Sequence, residues 1–150
     1  MGTMEDDRLW SVSLWFWGYD FVPMGSAEFK REAEAAMRTT TRTLDHSAYG
    51  MQADFSLCHG RAGNADLLIQ ASLMMGDKAA RAVAEVVGRQ GIEYCNHNNL
   101  PWPCGVPGGG ETPNLMLGLA GLGYFYLRLY DPATVPSALL ICPQPDGGSK

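Results

Sequence analysis

Apolar and small residues recur at Phe29, Ala33, Ala36, Met37, Thr40 and Leu44, a spacing that gathers them on one side of a helix. Lys30, Arg31, Glu32, Glu34, Arg38 and Arg42 take the opposite side. The pattern predicts a helix that starts after Ser26, a suitable N-cap, and turns its charged face to solvent. A second apolar stretch predicts a helix from about Ala62 to Met75, broken at Gly76-Asp77. Asp77 can cap a third helix over 78–87, whose Ala79, Ala80, Ala82, Val83, Val86 and Val87 make a small-residue packing face. Gly88 and Gly91 are expected to end it. Residues 92–111 are rich in Pro, Gly and Asn and read as loop. Thr112 then suits an N-cap and Pro113 a first helical residue, which predicts a helix to about Tyr130, stopped by Asp131-Pro132. Gly118, Gly121 and Gly123 would each cost about 1 kcal/mol inside it, so close approach of a neighbouring helix is expected there.

The rest is less regular. Residues 1–25 carry Trp10, Trp15, Phe16, Trp17, Tyr19 and Phe21 with no clear period, although Ser11 to Trp17 can pass for a short strand. This segment is set apart as an atypical N-terminal arm. Residues 45–54 read as a connecting loop, 138–142 as a short buried element, and 143–150 as a disordered tail. No internal repeat can be claimed from the sequence alone. A single all-α domain is the expectation for 150 residues so arranged.

Composition narrows the function. A net charge of −5, with 11 basic residues spread along the chain, offers no concentrated Lys/Arg face for nucleic acid. The longest apolar run, Leu115 to Tyr130, is shorter than the ~20 residues of a membrane span and contains Arg128, so it reads as a buried helix. Asp6 stands where a myristoylation signal needs Ser or Thr. Cys58, Cys95, Cys104 and Cys142 are irregularly spaced, without a Cys-x-x-Cys pair, and the acidic start lacks a basic signal region. A reducing cytoplasm is the expected compartment. The stretch from Gly105 to Gly110 lacks the Lys-Ser/Thr of a phosphate loop.

Chemistry concentrates at Cys58-His59, between Phe55 and Leu57 on one side and Gly60 and Gly63 on the other. Neighbouring residues of a regular helix point about 100° apart, so both side chains can meet one ion only from a turn, which the glycines permit. The whole stretch from Phe55 to Leu68, with Trp102-Pro103-Cys104-Gly105 and the run from Glu111 to Gly121, resembles the C-terminal end of lanthionine synthetase C-like domains. The closest likeness is to the cyclase half of class II lanthipeptide synthetases, and it runs from roughly Ala27 to Ile141.

The resemblance implies a partial α/α toroid, made of helical hairpins from the C-terminal end of a double-ring helical barrel. It implies a catalytic zinc (Zn2+) with Cys58 and His59 as two of its three protein ligands. The implied substrate is a precursor peptide with dehydrated Ser or Thr, whose own cysteine adds as thiolate to form a thioether ring. Helix initiation near 62–64 would turn backbone N–H groups toward the thiolates. The family's first zinc-binding cysteine, in a Trp-Cys-x-Gly motif, has no counterpart before Cys58, and Trp17-Gly18 does not replace it. The general-acid histidine belongs further upstream, so neither His46 nor His97 inherits that role, and no catalytic residue is assigned. Cys95, His97 and Cys104 are the local candidates to complete the ligand shell, and Cys142 reads as a plain thiol. Glu111 is expected to order its loop. The chain is therefore expected to act as an incomplete fragment of the cyclase, partnered by the remaining helices or by another protein covering its apolar faces. The alternative is a non-catalytic remnant serving as a helical interaction module.

Overall fold

A computed structural model describes residues 27–45, 54–106, 108 and 110–139. Its elements are helices: α1 (Ala27–Asp45), α2 (Arg61–Met75), α3 (Lys78–Cys95) and α4 (Leu119–Tyr130). The described residues contain no strand, and the fold is all-α as the sequence predicts. No helix among them is long and apolar enough to cross a membrane. The proposed arm over 1–25, the cap at Ser26, most of the 45–54 loop, most of the 138–142 element, the tail over 143–150, and both His46 and Cys142 lie outside the described residues.

α1 follows its stripe. Met37, Thr40 and Leu44 are buried, Ala33 and Ala36 half-buried, and Lys30, Arg31, Glu32, Arg38 and Arg42 exposed. The threonines that would weaken it use their hydroxyls on the helix itself: Thr39 Oγ1 donates to the Ala35 carbonyl at 3.1 Å and Thr43 Oγ1 to that of Thr39 at 3.0 Å. α2 is buried along most of its length and packs against α1, α3 and α4. Gly76 ends it in the left-handed region at φ 69°, and the Asp77 carboxylate then accepts the Ala79 and Ala80 N–H groups at the start of α3. So short a connection folds α3 back onto α2, and this is the most extensive helix pairing in the molecule.

Two sequence expectations are corrected. α3 does not stop at Gly88 or Gly91 but runs on to Cys95. Both glycines are places where other elements press on the helix: a Cβ at Gly88 would come within 2.5 Å of Leu129 Cδ2, and one at Gly91 within 2.8 Å of both Phe55 Cζ and Tyr126 Oη. Tyr126 Oη donates to the Gly88 carbonyl at 2.8 Å across that contact. Second, α4 begins at Leu119, not just after Thr112. Asn114 Oδ1 accepts the N–H groups of Met116 and Leu117 and closes a separate turn, while the Thr112 carbonyl takes the Leu119 N–H at 2.7 Å.

The core joins Phe55, Leu57, Leu68 and Ile69 to Ala84, Val87, Leu122 and Phe125, with Met37 and Leu44 from α1. One charged pair lies within it. Arg128 Nε faces Asp66 Oδ1, and both side chains are at most 2% exposed. Ser137 Oγ donates to Asp66 Oδ2 at 2.6 Å, Arg128 Nη1 to the Val135 carbonyl at 2.7 Å, and Arg128 Nη2 to Gln70 Oε1. The pair thereby ties the segment after α4 back onto α2.

A repeat that the sequence alone did not establish is visible in the backbone. The turn before α2 and the turn before α4 share three backbone hydrogen bonds at equivalent positions: Gly60 N–H to Ser56 O matches Gly118 to Asn114, Arg61 to Asp54 matches Leu119 to Thr112, and Asn64 to Gly60 matches Leu122 to Gly118. The sequences agree as Leu-x-x-Gly-x-Ala-Gly at 57–63 and 115–121.

Candidate metal-binding turn

Residues 54–60 form the first of these turns. The Asp54 carboxylate starts it, accepting the Ser56 N–H at 2.7 Å and the Ser56 hydroxyl at 2.8 Å. Phe55, Ser56 and Leu57 are all buried, at 2%, 2% and 1% exposure, and the turn that follows them leaves Cys58 and His59 exposed. Gly60 and Gly63 are needed for space rather than for an unusual φ. Gly60 is extended at φ −92°, but its Cβ would sit 2.4 Å from Ser56 N, and a Cβ at Gly63 would sit 2.0 Å from the Leu57 carbonyl oxygen. Gly118 and Gly121 repeat this: their Cβ atoms would meet the Thr112 and Leu115 carbonyl oxygens at 2.1 and 1.8 Å. Their close neighbour is thus the turn preceding their own helix, not another helix, and Gly123 faces open space.

Cys58 and His59 are both exposed, and His59 Nε2 lies 3.0 Å from Asp54 Oδ2. The Cys58 N–H donates to the Met116 carbonyl at 2.9 Å, which joins the two turns at equivalent positions. The amides expected to face the thiol are otherwise engaged. Gly60 and Gly63 N–H both donate to Ser56 O at 3.2 Å, Arg61 N–H to Asp54 O and Asn64 N–H to Gly60 O. Arg61, the first residue of α2, lies with its guanidinium 5.8 Å from the Phe55 ring centroid and donates to Gln90 Oε1 at 2.7 Å; burial holds its pKa below the ordinary arginine value.

The Trp102 to Gly105 segment is threaded between the turns. Phe55 N–H donates to the Pro103 carbonyl at 2.8 Å and Gly105 N–H to that of Leu117 at 2.9 Å. Trp102 packs edge-on to Phe55 and Tyr126, with centroids 5.5 and 5.9 Å away. Glu111 orders this loop, as its position in the sequence suggests, by accepting the Trp102 N–H at 2.9 Å.

The candidate ligands from the sequence are not all brought together. Cys58, Cys95 and Cys104 are free thiols, respectively exposed, buried and half-exposed, and His97 is exposed. Burial first, and then the charge of Glu111, pushes the Cys95 thiol above its ordinary pKa. Among the described residues no group of three or more His, Cys, Asp or Glu side chains is disposed to hold a metal ion. Cys58 and His59 are consecutive exposed positions that carry a thiol and an imidazole, donor types that borderline-soft divalent cations accept. Sequence reasoning left Asp54 in the connecting loop; its signal was the Asp-x-Ser spacing of a side-chain-closed turn.

A family profile described as lanthionine synthetase C-like protein matches residues 23–140. Neither a curated protein nor a solved structure matches the chain.

Proposed function

Because the chain belongs to the lanthionine synthetase C-like family, we propose that it contributes to zinc-dependent thioether ring formation in a dehydrated precursor peptide. Cys58 and His59 are two of the zinc donors, and a third comes from outside the described residues. The observation carrying this reading is the pair's exposure on a turn whose flanking Phe55 and Leu57 are buried, within the stretch the family matches. Zinc bound there would lower the pKa of a substrate thiol so that its thiolate exists near neutral pH. The chain's own part is to hold the two donors at fixed spacing. Leu57, Gly60 and Gly63 do this by locking the turn onto α2.

The reaction adds S–H across the carbon–carbon double bond of dehydrated Ser or Thr: the sulfur bonds the β-carbon and a proton goes to the α-carbon. No described residue is assigned the protonation. The proposal places the chain in a reducing cytoplasm, where Cys58 stays a thiol, and as part of a larger helical assembly. Leu73, Met75, Leu127 and Tyr130 are exposed apolar surface that such an assembly would cover.

Metal content tests the reading first. The purified chain should bind about one zinc per molecule, and Cys58→Ala with His59→Ala should abolish binding. Ring closure leaves the peptide's mass unchanged, so it is read as loss of alkylatable peptide thiol. Zinc uptake unaffected by the two substitutions would overturn the assignment.

A further inference from the structure

We infer that α4 carries a self-association surface whose occupant is a second copy of this chain, with the two α4 helices lying antiparallel across each other. One side of α4 is spent on the core: Gly121, Leu122, Phe125 and Arg128 are buried where the helix packs on α2 and α3. The other side, made of Leu119, Gly123, Leu127 and Tyr130, is exposed, with Leu127 at 59% and Tyr130 at 90%. Met116, exposed in the turn just before the helix, continues the row. Steps of three and four residues keep these positions on one helix face. Leu119 and Leu127 each stand four residues from Gly123, and Met116 and Tyr130 each stand seven, so the row reads alike from either end.

That symmetry selects a second copy as the occupant, because a face that mates with itself about a two-fold axis must be self-complementary. With the axis at Gly123, Leu119 of one copy meets Leu127 of the other and Met116 meets Tyr130. The two glycines then face each other, where the missing side chains let the backbones come close. Inside the chain such space is used: a Cβ at Gly88 would strike Leu129, one at Gly91 would strike Phe55 and Tyr126, and one at Gly121 would strike the Leu115 carbonyl. A Cβ at Gly123 would meet nothing within 4 Å. The row carries no charged side chain. Antiparallel order sets the negative end of each helix dipole beside the positive end of the other and keeps the two Asp131 carboxylates at opposite ends, whereas parallel order would bring them together. With only 12 residues in α4, the contact falls below the ~1,600 Å² of a standard interface, so the dimer is weak and concentration-dependent. The inference names the partner that covers Leu127 and Tyr130 and does not depend on zinc at Cys58 and His59.

Sedimentation equilibrium of the full chain over a rising concentration series tests this, with a reducing agent present to exclude disulfide dimers through Cys58. The average mass should climb from one chain toward two and level off there. Leu127→Glu and Leu119→Lys alter exposed positions, so each should leave the helical circular dichroism intact. Each substitution enters a two-fold pair twice, and each should weaken the dimer at least about 100-fold. Val86→Glu, at an exposed apolar residue of α3, should leave it unchanged. Gly123→Ala should weaken it about 10-fold, although the same methyl is free of contacts within one chain. Orientation is read by mixing the Leu127→Glu and Leu119→Lys chains. Antiparallel order sets the new glutamate against the new lysine and restores pairing, whereas parallel order sets each against an unaltered leucine and does not. A mass that stays at one chain up to several hundred micromolar would overturn the inference. So would a mass that grows past two, Leu127→Glu pairing as tightly as wild type, or a mixture that pairs no better than its components.

Discussion

The backbone N–H of Cys58 donates to the carbonyl of Met116 at 2.9 Å, and the two residues occupy the same place in two copies of one turn. Each copy needs glycine where its helix crosses the turn's own carbonyl. Gly121→Ala should therefore destabilise the fold by about 3 kcal/mol, because its Cβ would land 1.8 Å from a backbone oxygen that cannot rotate away. Gly123→Ala, on the same helix with nothing within 4 Å, should stabilise it by about 0.5–1 kcal/mol. Urea unfolding of the two variants checks the contrast, and equal effects would refute it.

Breaking the buried pair by Arg128→Met or Asp66→Asn should cost about 3–5 kcal/mol in the same assay, since each leaves a polar partner stranded. An effect below about 1 kcal/mol would show that the pair is not as enclosed as the structure has it.

Asp66 also sets a pH dependence. Burial pushes its carboxyl above the ordinary range, against the pull of Arg128 and the hydrogen bond from Ser137. Between the unfolded value of ~3.9 and the raised one, the folded state binds more protons than the unfolded chain, so stability from this group falls as pH rises through that window. Wild type should gain stability relative to Asp66→Asn as pH is lowered through it. A difference that shrinks on acidification would reverse the sign.

Among the three described cysteines, thiol labelling at neutral pH should modify Cys58 first and Cys104 more slowly, and reach Cys95 only on unfolding, because Cys95 is buried and its pKa is raised. Peptide mapping after timed alkylation gives the order. Early labelling of Cys95 would contradict it.

Glu111→Ala should speed hydrogen exchange at the Trp102 amide and cost about 1 kcal/mol, the usual worth of one hydrogen bond. Glu111→Gln, which keeps an accepting oxygen, should largely preserve protection.

Elements governed by local chemistry were legible in the sequence. The stripe of α1 and the Asp77 cap each depend on residues within a few positions, and both stand where the pattern places them. The glycines misled because one residue type serves two purposes. Gly76 is a true stop in the left-handed region, whereas Gly88 and Gly91 are interior positions shaved down for Phe55, Tyr126 and Leu129, which come from far along the chain. The same limit applies to Thr112-Pro113, whose capping chemistry was outcompeted by the Asn114 side chain. At the candidate site, Cys58 and His59 stand out by type and neighbours and the Asp54 to Ser56 spacing marks a side-chain-closed turn, but the 3.0 Å approach of Asp54 to His59 depends on the folded path of that turn.

Sharing a hydrogen bond between equivalent turns makes the Cys58 loop unsuitable for grafting. A transplant of residues 54–63 into another helical scaffold would lose the Met116 acceptor and the Leu57 contact with Gly121, and the Cys58 amide would have to find a new partner. Any engineered carrier of this loop must bring along residues 112–121, and with them the Trp102 segment wedged in between.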